Sequence, residues 1–340
     1  MREILADVDR WLLRGQAVAL ATVVQTWGSA PRGVGAKMAF TAVNDIAGSV
    51  SGGCVEGAVI TAGKDALVSG APQLLHFGVA DETAWDVGLA CGGTIEVWVE
   101  VLDTAVYAFC HTLIQANRPG RVLTVLRGPA DLVGRKLAFN QAGQMVGDLG
   151  AWTETATAAT QSIQTPQRLW LNDDIELFVD VLRPAPTLVL IGGVHIALAL
   201  AAIAGVLDYR VIVIDPRRAF GSAARFPHAA QVIQAWPDEA LAEVALGPET
   251  AVALLSHDPK IDDPALQILL SSPVGYIGAL GSRSTHASRV ARLRQMGLEE
   301  AAIARIHAPI GLDIGAKTPA EIALAIMGEI IKQHRPLTDS

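Results

Sequence analysis

Charge is scarce in this chain. Under a fifth of its 340 residues are charged, and 26 Lys and Arg face 34 Asp and Glu, for a net charge of −8. The Lys and Arg are scattered, not clustered. Neutralising a phosphate backbone takes clustered cations, so the composition excludes a general nucleic-acid binder. Cysteine is scarcer still, with three in all. An odd count without metal-type spacing argues against a disulfide framework and points to a reducing, cytoplasmic setting. There is no CxxC or HxxxH spacing to suggest a zinc site, and neither the Ser/His/Asp pattern nor the paired carboxylates of a hydrolase. No formal charge occurs from Thr187 to Leu207, a length that would span a bilayer. Gly192 and Gly193 divide that stretch, however, with a β-rich LVLI before them and an Ala/Leu-rich run after. Strand, tight turn and buried helix are the expectation, not a membrane span. The N-terminus is not a signal peptide either. Ile4, Leu5, Val8, Trp11 and Leu12 fall at helical spacing among charges, which describes an amphipathic helix ended by Gly15.

What is present is apolar and patterned. Half the residues are apolar, as in a well-packed globular protein, and the length suits two or more domains. The first half contains a repeat. Gly35-Ala36-Lys37-Met38-Ala39-Phe40 recurs as Gly134-Arg135-Lys136-Leu137-Ala138-Phe139, and in each copy a glycine follows eight residues after the Phe, at Gly48 and Gly147. A β-rich run precedes each copy. Two related strand–loop–strand units, about 17–50 and 120–150, are expected within an N-terminal β-rich α+β domain of residues 1–183. Residues 151–167, rich in Thr, Ala and Gln without clear period, suit a loop or linker.

After Pro184 strand and helix alternate: LVLI and a helix to Leu207, RVIVI ending at Asp215, TAVALL ending near Ser256, YIGAL ending at Leu280, then a helix from Ser284 to Met296. This rhythm predicts a Rossmann-like, doubly wound parallel sheet over 184–340. A last helix from Pro319 to about Gln333 opens with Thr318 as its cap and Glu321 three residues on.

Residues found in only one copy of the repeat are the better candidates for chemistry. The first copy alone carries Gly28-Ser29-Ala30-Pro31-Arg32 before the shared core and Ser51-Gly52-Gly53-Cys54-Val55-Glu56 after it. A helical run follows Cys54, so its thiol stands at the positive end of a helix dipole, which favours thiolate. Gly52 and Gly53 let backbone N–H groups face a ligand. The ordinary alternative is a small buried cysteine. Cys91 lies in GLACGG, beside Gly92 and Gly93, ahead of an alternating strand; Cys110 sits in an apolar helical run and reads as core. Arg32, with Lys37 nearby, suits a phosphate or other oxyanion, and a solvated loop is the plain alternative. In the second half Gly192-Gly193-Val194-His195 follows a strand as a dinucleotide turn does, but Val194 stands where such a turn needs glycine. Asp215 stands where a ribose-binding acid would, with Arg217 and Arg218 positioned for a 2′-phosphate. His257, Asp258, Gly281, Ser282, Arg283 and Asp313 fall at predicted strand ends, which share one edge of a parallel sheet.

The segments GSAPRGVGAKM, GSVSGGCVEGAV, GLACGG, IGGVHIALAL, IDPRRAF, SHDPKIDDPAL, YIGALGSRST and PIGLDIGAKTPAEIALAI together resemble the XdhC/CoxI family. The resemblance runs in order from Val18 to Ile330 and is weakest between Leu102 and Arg183. It implies an accessory protein for a molybdenum hydroxylase such as xanthine dehydrogenase or carbon monoxide dehydrogenase, not a free-standing metabolic catalyst. Such a protein binds the molybdenum cofactor (molybdopterin), protects it while its terminal sulfur is installed, and helps insert it into the apo-enzyme. The resemblance further implies a homodimer, a cysteine desulfurase as a second partner, and Cys54 and Cys91 as the cofactor-handling or catalytic thiols. Two other readings stand beside it: an NAD(P)-dependent oxidoreductase using the second half, against which Val194 counts, and a structural tether that retains no cofactor.

Overall fold

The computed structural model describes residues 1–78 and 93–334, and divides the chain into Met1–Pro184 and Ala185–Ser340. The first unit opens with α1 (Leu5–Leu13), then β1 (Val18–Trp27), β2 (Lys37–Thr41), β3 (Ile46–Gly48), α2 (Glu56–Ser69), β4 (Gln73–Phe77) and β5 (Thr94–Val101). The same order follows at once: α3 (Thr104–Gln115), β6 (Gly120–Arg127), β7 (Lys136–Asn140), β8 (Met145–Gly147), α4 (Thr153–Thr160), β9 (Gln167–Trp170) and β10 (Glu176–Leu182). Both sheets are antiparallel, ordered β3-β2-β1-β5-β4 and β8-β7-β6-β10-β9, and so match strand for strand. The repeat seen in the Lys37 and Lys136 motifs is thus one part of a larger one: helix, three strands, helix, two strands. The expectation of a linker over 151–167 is corrected by α4, the counterpart of α2. Only Ala156 and Thr160 of α4 are buried, so small residues form the helix without an apolar period to announce it.

The shared glycines explain themselves. A Cβ on Gly48 would lie 2.3 Å from the Lys37 carbonyl oxygen, and one on Gly147 would lie 2.2 Å from that of Lys136. Each residue closes the hairpin of its repeat and also takes positive φ, +72° and +80°.

Strand alternation sorts the layers. On β1, Ala19, Ala21 and Val23 pack with α2 residues such as Val59 and with Val55 just before it. Val18 and Leu20 turn to the opposite side, where α1 and α3 join both sheets in one apolar cluster. The corresponding outer face of the second sheet packs Leu123, Val125 and Leu137 with Ala156 of α4. Where the two sheets meet directly, Val24 and Trp98 of the first pack with Leu126 and Phe178 of the second.

The second unit runs β11 (Thr187–Ile191), α5 (His195–Val206), β12 (Arg210–Ile214), β13 (Gln231–Ile233), α6 (Pro237–Ala240), β14 (Thr250–Leu254), α7 (Pro259–Leu270), β15 (Tyr276–Ala279), α8 (Arg283–Gln295), α9 (Glu300–Ile303), β16 (Ile306–His307) and α10 (Pro319–His334). Its sheet is parallel throughout, ordered β13-β12-β11-β14-β15-β16, the arrangement of a doubly wound dinucleotide fold. Leu188 and Leu190 face α5 and α10, while Val189 and Ile191 face α6 and α7, so every central strand is apolar on both sides. The charge-free stretch from Thr187 is β11, a glycine turn and α5. Among the described residues no helix is long and apolar enough to cross a membrane. α10 opens with a reciprocal cap: the Thr318 hydroxyl accepts from Glu321 N–H, and the Glu321 carboxylate accepts from Thr318 N–H. Chain order reverses between β11 and β14, which opens a crevice beyond their carboxyl ends.

Candidate functional site

In the first unit, the turn at 51–55 leads directly into α2, and Cys54 stands on it as an exposed free thiol. The donors of this turn converge on one carboxylate. Glu56 accepts from the backbone N–H groups of Ser51 (2.9 Å), Gly53 (2.9 Å), Gly52 (3.1 Å) and Val55 (3.2 Å), from the Ser49 hydroxyl at 2.7 Å, and from the Ser51 hydroxyl. Burial alone would raise the pKa of Glu56; hydrogen bonds from Ser51 and Ser49 outweigh it and hold the group at about 2. The N–H groups of Gly52 and Gly53, expected to face a ligand, are bonded to Glu56 here. In this conformation the acid of the first α2 residue occupies the anion seat that the glycines create.

Two further segments meet this turn. A Cβ on Gly52 would come within 3.8 Å of Pro31 Cβ, so the 28–32 loop lies alongside. A Cβ on Gly93 would lie 2.3 Å from the Ser29 carbonyl oxygen, so the start of β5 abuts the same loop. Cys91 and Gly92 lie outside the described residues. Arg32 is partly engaged: its Nη2 reaches both oxygens of Glu3, at 2.5 and 2.7 Å, while its Nε is buried without a partner.

Lys37 does not join Arg32. Strand alternation on β2 places it with Ala39, on the face turned toward the second sheet. There it is 3 % exposed, 2.9 Å from Asp180 and 3.1 Å from the Thr22 hydroxyl, beside an interior cavity of about 30 Å³. Cys110 lines that cavity too, and burial pushes its thiol up to about 12, as suits a core cysteine.

In the second unit the crevice edge collects His195, Asp215, Arg217, His257, Asp258 and the 281–283 turn, each just past the carboxyl end of a parallel strand. Asp313 is exposed between β16 and α10. The glycine turn serves its own packing. A Cβ on Gly193 would lie 2.3 Å from the Phe220 carbonyl oxygen, and one on Gly192 would lie 2.8 Å from Ser256 N. Asp215, fully buried, accepts from Gly193 N–H at 2.7 Å, from Arg217 N–H at 2.9 Å, and from the Arg217 guanidinium at 2.9 and 2.7 Å. Burial disfavours its charge, but Arg217 and these backbone donors hold its pKa below the usual aspartate range. Both oxygens of the expected ribose acid are thus taken by the chain itself. Asp258 caps α7, accepting from Lys260 N–H at 3.0 Å, and His257 is exposed with a left-handed φ of +61°.

Known proteins resemble this chain in sequence and in fold. Residues 11–78 match the family model of the XdhC and CoxI family, and residues 188–330 match that of the XdhC Rossmann domain. A relative from Bacillus subtilis strain 168, named as a probable xanthine dehydrogenase subunit, is 30% identical over 334 residues, 96% of each chain. The chain belongs to the XdhC and CoxI family. It is also 27% identical over 332 residues to the molybdenum cofactor insertion chaperone PaoD of Escherichia coli strain K12, spanning 97% of this chain and 87% of PaoD. A solved structure from Bacillus halodurans, described as a xanthine dehydrogenase, shares the fold with a TM-score of 0.80 at 21% identity, over 98% of this chain and 96% of its own.

Sequence reasoning missed one polar cluster in this XdhC-type chain. Arg168 on β9 holds Glu176 with two bonds of 2.7 Å and also binds Glu96 of the first repeat, which His76 contacts at 3.2 Å. Burial works against the Arg168 charge, but the two acids raise its pKa above the usual value. A signal existed: β5 carries Glu96 and Glu100, and β10 carries Glu176 and Asp180, each pair four residues apart on an otherwise apolar strand.

Proposed function

We propose that this chain receives the molybdenum cofactor as cargo and delivers it to the apo-form of a xanthine dehydrogenase-type hydroxylase, with Cys54 as the contacting thiol. The exposed position of Cys54 on a fixed turn carries the reading, supported by the insertion chaperone PaoD among its relatives. A thiolate is a soft donor suited to molybdenum bound by sulfur and oxygen. Glu56 holds the turn in one shape and so holds the sulfur outward. Arg32, beside the turn and bound to Glu3 through one nitrogen, meets an incoming phosphate by exchanging Glu3 for it. Protection of the cofactor during sulfuration, with a cysteine desulfurase as donor and Cys91 as a second thiol, belongs to the same proposal, as does assembly into a homodimer.

The experiment is co-expression with candidate apo-hydroxylases, xanthine dehydrogenase and carbon monoxide dehydrogenase types included. Molybdenum and pterin are measured in the purified accessory protein, and activity in the client. Cys54→Ala is expected to fold normally, because the side chain is exposed, and to lose retained cofactor and client activation together. Undiminished cofactor content in Cys54→Ala would remove the thiol from the mechanism. No client gaining activity from the native chain would remove the delivery role.

A further inference from the structure

A doubly wound sheet ordinarily takes an anion at the turn after its first strand. Here that turn spends Gly193 N–H on Asp215. Unmet donors lie two strands away, on α8. Arg289 is 2 % exposed and reaches back along its helix to the end of β15, where Nη2 donates to the Leu280 carbonyl at 2.9 Å. Nη2 stands 3.6 Å from Asp262, and Nε and Nη1 have no partner. One turn nearer the helix start, His286 Nδ1 is also buried and unpartnered. Arg289 Nε and Nη1 are thus two buried N–H groups without partners on a guanidinium held at the end of β15, and a buried donor left unmade is costly enough to be rare.

Above them the turn is built for an anion. Gly281 takes a φ of +137°, and a Cβ there would lie 2.9 Å from Thr285 Cγ2. The exposed hydroxyl of Ser282 lies 2.7 Å from that of Ser284 and 2.9 Å from that of Thr285. Ser282 caps the helix, its hydroxyl accepting from Thr285 N–H at 3.2 Å, so a dianion would take the hydroxyl protons together with the N–H groups of Arg283 and Ser284, and the dipole of that 13-residue helix favours it.

We propose that the turn at 281–285 binds a phosphate-sized oxyanion, the monoester of a nucleotide or of a pterin, with Arg289 as the buried counter-charge. Entry of the anion draws the guanidinium toward the turn and satisfies donors that the protein leaves unmade. The site lies in the second unit and does not depend on the Cys54 reading.

Titration calorimetry on the full chain tests it, with inorganic phosphate, adenosine 5′-monophosphate and 6-hydroxymethylpterin phosphate as probes. Saturable binding at one site per chain is expected for at least one of them. A monoester that binds better than inorganic phosphate names the source of the anion. Arg289→Met is expected to weaken binding by about tenfold or more. Because that residue is buried, Ser284→Asp serves as the second variant: it sets a carboxylate at the exposed rim and is expected to weaken binding as much while melting like the native chain. Failure of all three probes to saturate, or equal affinity in Ser284→Asp and the native chain, overturns the proposal.

Discussion

Glu56 does for its turn what a bound anion does for other glycine turns. Its carboxylate gathers four backbone donors and two hydroxyls, so removing its charge loosens the segment that presents Cys54. Because its pKa in the folded chain is depressed from 4.5 to about 2, the sign of the pH effect follows. The stabilisation is fully present above the unfolded value near 4.5 and is lost as pH falls through about 2. Glu56→Gln keeps the size and loses the charge. Its deficit in urea midpoint against the native chain should be constant from pH 7 to 5 and shrink between pH 4.5 and 2. A deficit that stays the same at pH 3 would mean that the charge contributes nothing to the turn.

Elements were legible where they bury a stripe and silent where they do not. The continuous apolar runs of β11, β12, β14 and β15, alternating with helices, announced a parallel sheet, and the paired Lys37 and Lys136 motifs announced two related hairpins. α4 was hidden because Thr153–Thr160 offers small residues on every face. The inward turn of Lys37 was hidden as well: one β-residue of register decides which face a side chain takes, and the sequence around Gly35 does not state that register. The role of Glu56 was out of reach for a related reason, since a carboxylate beside a glycine pair reads equally as ligand contact or as internal cap. The hairpin glycines make a test at this scale. Gly143 and Gly147 both take positive φ, +78° and +80°, but only Gly147 has a backbone atom in the way of a Cβ. Gly143→Ala should cost about 1–2 kcal/mol from the left-handed backbone alone, and Gly147→Ala clearly more, because β7 and β8 must separate. Equal losses in urea denaturation would show that the close approach to Lys136 is easily relieved.

At the scale of the first unit, two copies of one element order are tied by crossed ion pairs. Lys37 of the first repeat binds Asp180 of the second at 2.9 Å, and Lys136 of the second binds Glu100 of the first at 2.8 Å, each lysine also meeting a threonine of its own sheet. Pairs this deeply buried contribute little net stability against apolar replacements, yet breaking one side is expensive because the orphaned charge stays in hydrocarbon. Lys37→Met should therefore cost about 3–5 kcal/mol, and Lys37→Met with Asp180→Leu should recover most of that loss. The pH dependence has a definite sign. In the native chain Lys37 holds the pKa of Asp180 below the usual aspartate range against the opposing pull of burial. The pair therefore stabilises above the unfolded value of about 3.9 and fades below it. In Lys37→Met the same carboxylate, buried without its cation, favours the protonated form, so the variant gains stability as pH falls toward 4 while the native chain does not. The gap between the two should narrow on acidification, read as urea midpoints at pH 7, 5 and 4. If the gap held constant, or the double variant were no more stable than the single one, the crossed pairs would not be what aligns the two repeats.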